Sequence, residues 1–212
     1  MDNTFRPIHF NRAKLCGQVV TDPTLSHANH GEEFCRFFVS VQRLSQQQDL
    51  LPVVIARRKL EDTPIQVGDT VTVTGQLRSY NNKSGVGARL VIDVFARQLL
   101  RGEGQSLNLI QLSGTICKVP TLRRTPLGRE ICDVILAVNR RYGRADYLPC
   151  ISWGAIAHET AALAVGSPLT LEGRLQSRTY NKALADGCEE RIAYEVSVMR
   201  PADPAEFFLA TL

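Results

Sequence analysis

Four aromatic side chains in the last third of the chain, Tyr142, Tyr147, Trp153 and Tyr180, are interleaved with the cations Arg140, Arg141, Arg144, Arg174, Arg178 and Lys182. An unpaired nucleic-acid strand needs this combination of residue types. Its bases expose flat π-faces that stack on aromatics, worth ~1–3 kcal/mol per base. Its phosphates need cations along the same track, and the resulting affinity falls with salt. Each residue alone has an ordinary alternative. A large aromatic often serves the core, a tyrosine beside a turn is often half-buried packing, and an arginine cluster is often a solvated face. The joint occurrence of rings and cations favours binding.

The elements that must position these groups are legible around Val165 to Tyr180, which reads V-G-S-P-L-T-L-E-G-R-L-Q-S-R-T-Y. After the glycine turn at Gly166, Leu169, Leu171 and Gly173 alternate with Thr170, Glu172 and Arg174, the period of a strand. Gly173 inside that strand predicts a bulge or sharp bend. Val67 to Tyr80, V-G-D-T-V-T-V-T-G-Q-L-R-S-Y, repeats the plan. The repetition extends further: adding 97 carries Gly17 to Gly114, Pro23 to Pro120, Gly31 to Gly128, Cys35 to Cys132, Arg43 to Arg140 and Pro52 to Pro149. After a one-residue insertion, adding 98 carries Gly68 to Gly166, Gly75 to Gly173, Leu77 to Leu175 and Ser79 to Ser177. The chain is a tandem duplication. It is joined by the short polar linker Arg101 to Ser106.

Each copy shows five strand patterns in one order, with the only helical candidate between the third and fourth. In the first copy the strands fall at 13–20, 34–42, 53–56, 70–79 and 89–96, with a poor helix at 59–64. In the second they fall at 109–117, 131–139, 148–153, 169–177 and 191–198, with a helix at 155–164. This order predicts an all-β chain of two five-stranded OB barrels. A β-sandwich would need about seven strands and no such helix. The expected domains are 1–104 and 105–200, followed by a short tail, 201–212.

Composition bounds the function. The 212 residues are 44% hydrophobic, as in globular proteins, and the formal net charge is +4. No apolar run approaches the ~18 residues of a membrane span, and no secretory signal is evident, so a cytoplasmic location without membrane contact is expected. The six cysteines form no C-x-x-C pair and lie apart from the four histidines, so neither a metal nor any other cofactor is expected. No paired-carboxylate pattern, nucleophile elbow or P-loop is present, so no catalysis is expected.

The second copy resembles the bacterial single-stranded DNA-binding protein family. The resemblance rests on Ser152 to Tyr180, which holds that family's helix and its G-S-x-L-x-x-E-G-R-L-x-x-R-x-Y pattern. It rests also on the opening L-S-G-T-I-C-K-V-P-T at Leu112 to Thr121, and on Tyr194-Glu195-Val196. It implies sequence-independent binding of single-stranded DNA in replication, recombination or repair, with bases stacked on Tyr142, Tyr147, Trp153 and Tyr180. Arg140, Arg141, Arg174, Arg178 and Lys182 would meet phosphates. The first copy is similar in outline only. Tyr80 is read as the counterpart of Tyr180, with Arg78 and Lys83 beside it, but Leu44, Leu50 or Leu51 and Ala56 stand at the other stacking positions. That copy is expected either to hold phosphates weakly or to make subunit contacts. Family assemblies present four OB folds, which implies a homodimer here. The twelve residues after Arg200 are too few for the family's long recruiting tail and are expected to be a short ordered or frayed end. Replication or recombination proteins remain possible partners, and the alternative reading is an accessory module that mainly contacts protein.

Overall fold

The structure, a computed structural model, describes residues 9–84, 87–184 and 187–209. Its strands are β1 (Phe10–Val19), β2 (Thr24–Asn29), β3 (Glu32–Gln42), β4 (Gln48–Ala56), β5 (Thr70–Asn81) and β6 (Leu90–Arg101), then β7 (Leu107–Ile116), β8 (Thr121–Arg124), β9 (Glu130–Asn139), β10 (Ala145–Trp153), β11 (Pro168–Leu184) and β12 (Gly187–Pro201). The helices are α1 (Arg57–Asp62), α2 (Ala155–Ala161) and α3 (Pro204–Leu209), and Arg141–Gly143 forms a 3₁₀ turn. The chain separates into two compact units. Among the described residues, one comprises Arg12–Leu109 with Leu175–Glu195; the other comprises 9–11, Ile110–Arg174 and 196–209.

In the unit of Arg12–Leu109 and Leu175–Glu195, β1 pairs antiparallel with both β3 and β5. β3 pairs with β4, β4 runs parallel to β6, and β6 returns along β5. That cycle closes a five-stranded barrel, with β2 added outside β3. Alternation along β3 sends Phe37, Val39 and Val41 into the core with Leu15, Leu51, Val53, Leu77 and Val94. Each such side chain contributes about 1.5–3 kcal/mol on burial. The register of β5 against β6 shifts between Thr74 and Gly75. A methyl group on Gly75 would collide with the carbonyl oxygen of Phe95, so only glycine permits this bend.

The other unit repeats the cycle. β7 pairs with β9 and β11, β9 with β10, and β10 runs parallel to β12, which lies beside β11. Its core holds Ile110, Leu112, Ile116, Ile131, Leu136, Leu148 and Leu171. A methyl group on Gly173 would likewise collide with the carbonyl oxygen of Ser197.

The elements agree in order with the sequence reading and differ in extent. α1 starts at Arg57 rather than 59, and α2 stops at Ala161 because the chain turns at Ala162 toward Gly166. β2 and β8 have no counterpart in the expected set: their side chains are exposed throughout and carry no apolar alternation. The tail forms α3, and Phe207 is buried with its ring 5.2 Å from that of Phe10. Cys16, Cys35, Cys132 and Cys150 are buried as small apolar side chains, while Cys117 and Cys188 are exposed. Among the described residues no helix is long and apolar enough to cross a membrane. No cluster of three or more His, Cys, Asp or Glu among them could hold a metal.

Candidate nucleic-acid interface

The β9–β10 hairpin carries three of the four aromatics. Its loop is closed by the Arg140 amide donating to the Arg144 carbonyl at 2.7 Å. At the loop tip Tyr142 has φ 65° and ψ 34°, the left-handed region, and its side chain is 97% exposed. A non-glycine residue there costs roughly 1–2 kcal/mol, and such strain concentrates at functional sites. Arg141 begins the same turn. Tyr147 sits on β10 opposite Ala137 and is 51% exposed. Trp153 lies six residues along the same strand, on the same side, half-buried. Its indole Nε1–H donates to Ser197 Oγ at 3.2 Å, which fixes the ring plane while leaving part of the ring accessible.

The cations expected beside these rings have distinct surroundings. Arg140 is paired with Asp146, which is fully buried, through Nε to Oδ2 at 2.6 Å and a second bond from Nη2 to Oδ1. The first copy contains the same brace: Arg43 Nε donates to Asp49 Oδ2 at 2.7 Å. A pair preserved in both copies, including the one lacking stacking residues, braces the hairpin. Arg174 is half-buried on β11.

Tyr180, Arg178 and Lys182 belong to the stretch Leu175–Glu195, grouped with the first copy's barrel. Arg178 lies 5.9 Å over the Tyr180 ring, a cation–π contact, and pairs with Glu195 at 3.6 Å. The Arg191 guanidinium donates to the Tyr180 hydroxyl and is held by Glu189 at 2.7 Å. Lys182 is exposed.

In the same unit Tyr80 is half-exposed on β5 opposite Val91. The repeat register moves its correspondence. With Gly75 over Gly173 and Ser79 over Ser177, Tyr80 falls at Arg178, two residues short of Tyr180 and on the same side of the strand. Arg36 donates to the Tyr80 hydroxyl; burial foremost, helped by Asp93 and opposed by Arg36, pushes that phenol above its ordinary value. Arg78 donates to Gln76 Oε1 at 2.8 Å and lies 5.8 Å over the Phe95 ring. Lys83 is exposed.

The sequence reading missed a group on β3 and β6. Phe34, Arg36 and Phe38 project from one side of β3, opposite Ala56, Val54 and Pro52 of β4. Arg36 lies 5.8 Å over Phe38 and pairs with the buried Asp93. Phe34 stacks on His27 at 4.9 Å and lies 5.6 Å from Phe95. The period-2 pattern of F-C-R-F-F-V at Phe34 to Val39 was the signal that could have found it.

A tandem pair of OB barrels, one with exposed rings on a braced hairpin, defines a class of single-strand-binding architecture. The model of the single-strand binding protein family matches residues 10–101 and 107–200, so the chain belongs to that family. Single-stranded DNA-binding protein 2 of Listeria innocua is 33% identical over 111 residues, 47% of this chain and 69% of that protein. Single-stranded DNA-binding protein A of Bacillus subtilis is 38% identical over 81 residues, 35% of this chain; the match spans about half, 47%, of that relative's length. The wild-type single-stranded DNA binding protein from Thermus aquaticus has the same fold at a TM-score of 0.73 and 23% identity, over 92% of this chain and 93% of that one.

Proposed function

We propose that this chain binds single-stranded DNA without sequence preference, stacking bases on Tyr142, Tyr147, Trp153 and Tyr180. The observation that carries the reading is the hairpin β9–β10. It presents Tyr142 and Tyr147 to solvent and Trp153 on one strand side, in a chain of the single-strand binding protein family. Arg141, Arg174, Arg178 and Lys182 follow the backbone of the strand, together with Arg78, Lys83 and Tyr80 of the first copy. Arg140 acts mainly by holding the loop through Asp146. The bound form serves replication, recombination or repair, in the cytoplasm, with no catalysis of its own.

The test is the fluorescence of Trp153, the only tryptophan, during titration with oligo-dT. Strong quenching is expected, with an affinity that falls as salt rises by a slope of about 0.7 per phosphate contacted. Absence of both quenching and salt dependence would defeat the reading and favour an accessory module that contacts protein. Four OB folds per assembly require two chains. Light scattering is therefore expected to give twice the chain mass of 23.5 kDa; a single-chain mass at working concentration removes the homodimer.

A further inference from the structure

In each barrel one residue of the last strand lies against the glycine bend. In the first copy it is Phe95, whose carbonyl oxygen a methyl group on Gly75 would strike; in the second it is Ser197, met in the same way by Gly173. The parallel pairings agree. Phe95 stands opposite Val54 of β4, and Ser197 opposite Ile151 of β10. The same frame sets Ala56 of β4 against Trp153 of β10, since Phe34 pairs with Ala56 and Ile131 with Trp153. The longer β11 and β12 break the constant offset between the copies, so the sequence by itself does not align Phe95 with Ser197.

The ring and the small side chain have thus changed strands. In the second copy the ring is Trp153 on β10, and the small residue is Ser197 on β12, bonded to the indole. In the first copy the small residue is Ala56 on β4, and the ring is Phe95 on β6. Phe34, Val54 and Ala56 are buried, and Phe95 packs against them while staying partly exposed, as Trp153 does. Phe34, with its ring 5.6 Å away, steadies Phe95 as Ser197 steadies the indole.

A second exchange accompanies the first. The glycine-bearing strand reads G-R-L-Q from Gly173 but G-Q-L-R from Gly75. The second copy places Arg174 directly after the bend. The first places Arg78 two residues further on, 5.8 Å over the Phe95 ring. Gln76, opposite Phe95 on β5, accepts from Arg78 at 2.8 Å and from Arg97 at 3.0 Å. Arg97 is exposed, and its bond goes to this neutral amide rather than to a carboxylate.

We infer that Phe95 is a base-stacking residue of the first copy, supplied from β6 where the second copy supplies Trp153 from β10, and that Arg97 takes the phosphate beside it. The inference rests on the function proposed above and gives the first copy a ring of its own. A base needs an accessible π-face held in place, which Phe95 offers and Ala56 cannot. A guanidinium bonded to a neutral amide keeps its charge for a phosphate. Packing of the wall asks only for apolar volume at position 95, which leucine also supplies; stacking asks for the ring.

The experiment titrates the full chain with labelled oligo-dT. Phe95→Leu keeps the apolar volume, removes the ring, and is expected to weaken binding roughly fivefold. Phe95→Trp combined with Trp153→Phe moves the sole indole to β6. Its emission is expected to fall on binding and to recover as salt releases the oligomer. Arg97→Gln is expected to lower the salt slope by about 0.7, one phosphate contact; an unchanged slope removes Arg97 from the site. An indole at position 95 whose emission stays constant while anisotropy shows oligo-dT bound overturns the inference, and so does a folded Phe95→Leu variant that binds like wild type. Wild-type protein that binds no oligo-dT overturns the proposed function instead, so the two failures are separable.

Discussion

Among single residues, the rings were visible as types in the sequence, whereas the state of their charged neighbours was not. In the sequence Arg140 stands beside Tyr142 and reads as a phosphate contact. Its partner, Asp146, lies six residues away across a loop, and only the paired hairpin brings the two together. The duplication carried the clue in Arg43 and Asp49, at the same spacing. Asp146 is fully buried, so removing its partner strands a charge, which costs ~3–5 kcal/mol. Arg140→Ala is accordingly expected to lower stability by about 3 kcal/mol in urea unfolding. Pairing it with Asp146→Leu should recover most of that loss. A variant Arg140→Ala that unfolds like wild type but binds DNA poorly would return Arg140 to the phosphate-contacting set.

Elements with apolar alternation were legible, and elements without it were not. The five strands of each barrel follow from period-2 patterns, and the glycines at 75 and 173 from the collision a side chain would make there. β2 and β8 carry only exposed side chains and are set by pairing to β3 and β9. α3 was legible only as an apolar tail, because its anchor, Phe10, lies at the other end of the chain. The residue before that anchor is pH-sensitive. The Asn139 amide donates to His9 Nδ1 at 3.0 Å, which requires an unprotonated nitrogen, and burial holds the His9 pKa below its ordinary 6.5. The folded state thus prefers neutral His9. Its contribution is complete above pH 6.5 and is lost as pH falls through the folded value. Nuclear magnetic resonance should find His9 titrating below 6.5, and thermal stability should decline as pH falls below 6.5. His9→Gln should flatten that slope; an unchanged slope would assign it to other groups.

Across the whole molecule, duplication preserved the barrels while the surfaces diverged, and the sequence showed the first more fully than the second. Glycines, prolines and core residues align at a near-constant offset because they answer to the same fold. The second copy's rings were recognisable because they stand on the strand and loop where its hairpin presents them. The first copy looked stripped of rings because its aromatics, Phe34, Phe38 and Phe95, stand on other strands of the barrel wall. This predicts unequal losses on truncation. Tyr142 and Tyr147 are open, and Trp153 is oriented by Ser197, so Trp153→Ala removes a prepared platform worth ~1–3 kcal/mol, a loss of about fivefold to 150-fold in affinity for oligo-dT. Tyr80 has its hydroxyl engaged by Arg36, and Leu50 and Ala56 stand where the second copy has Tyr147 and Trp153, so Tyr80→Ala should weaken binding less than threefold. Equal losses for the two variants in matched salt would mean that the first copy contributes as much to binding as the second.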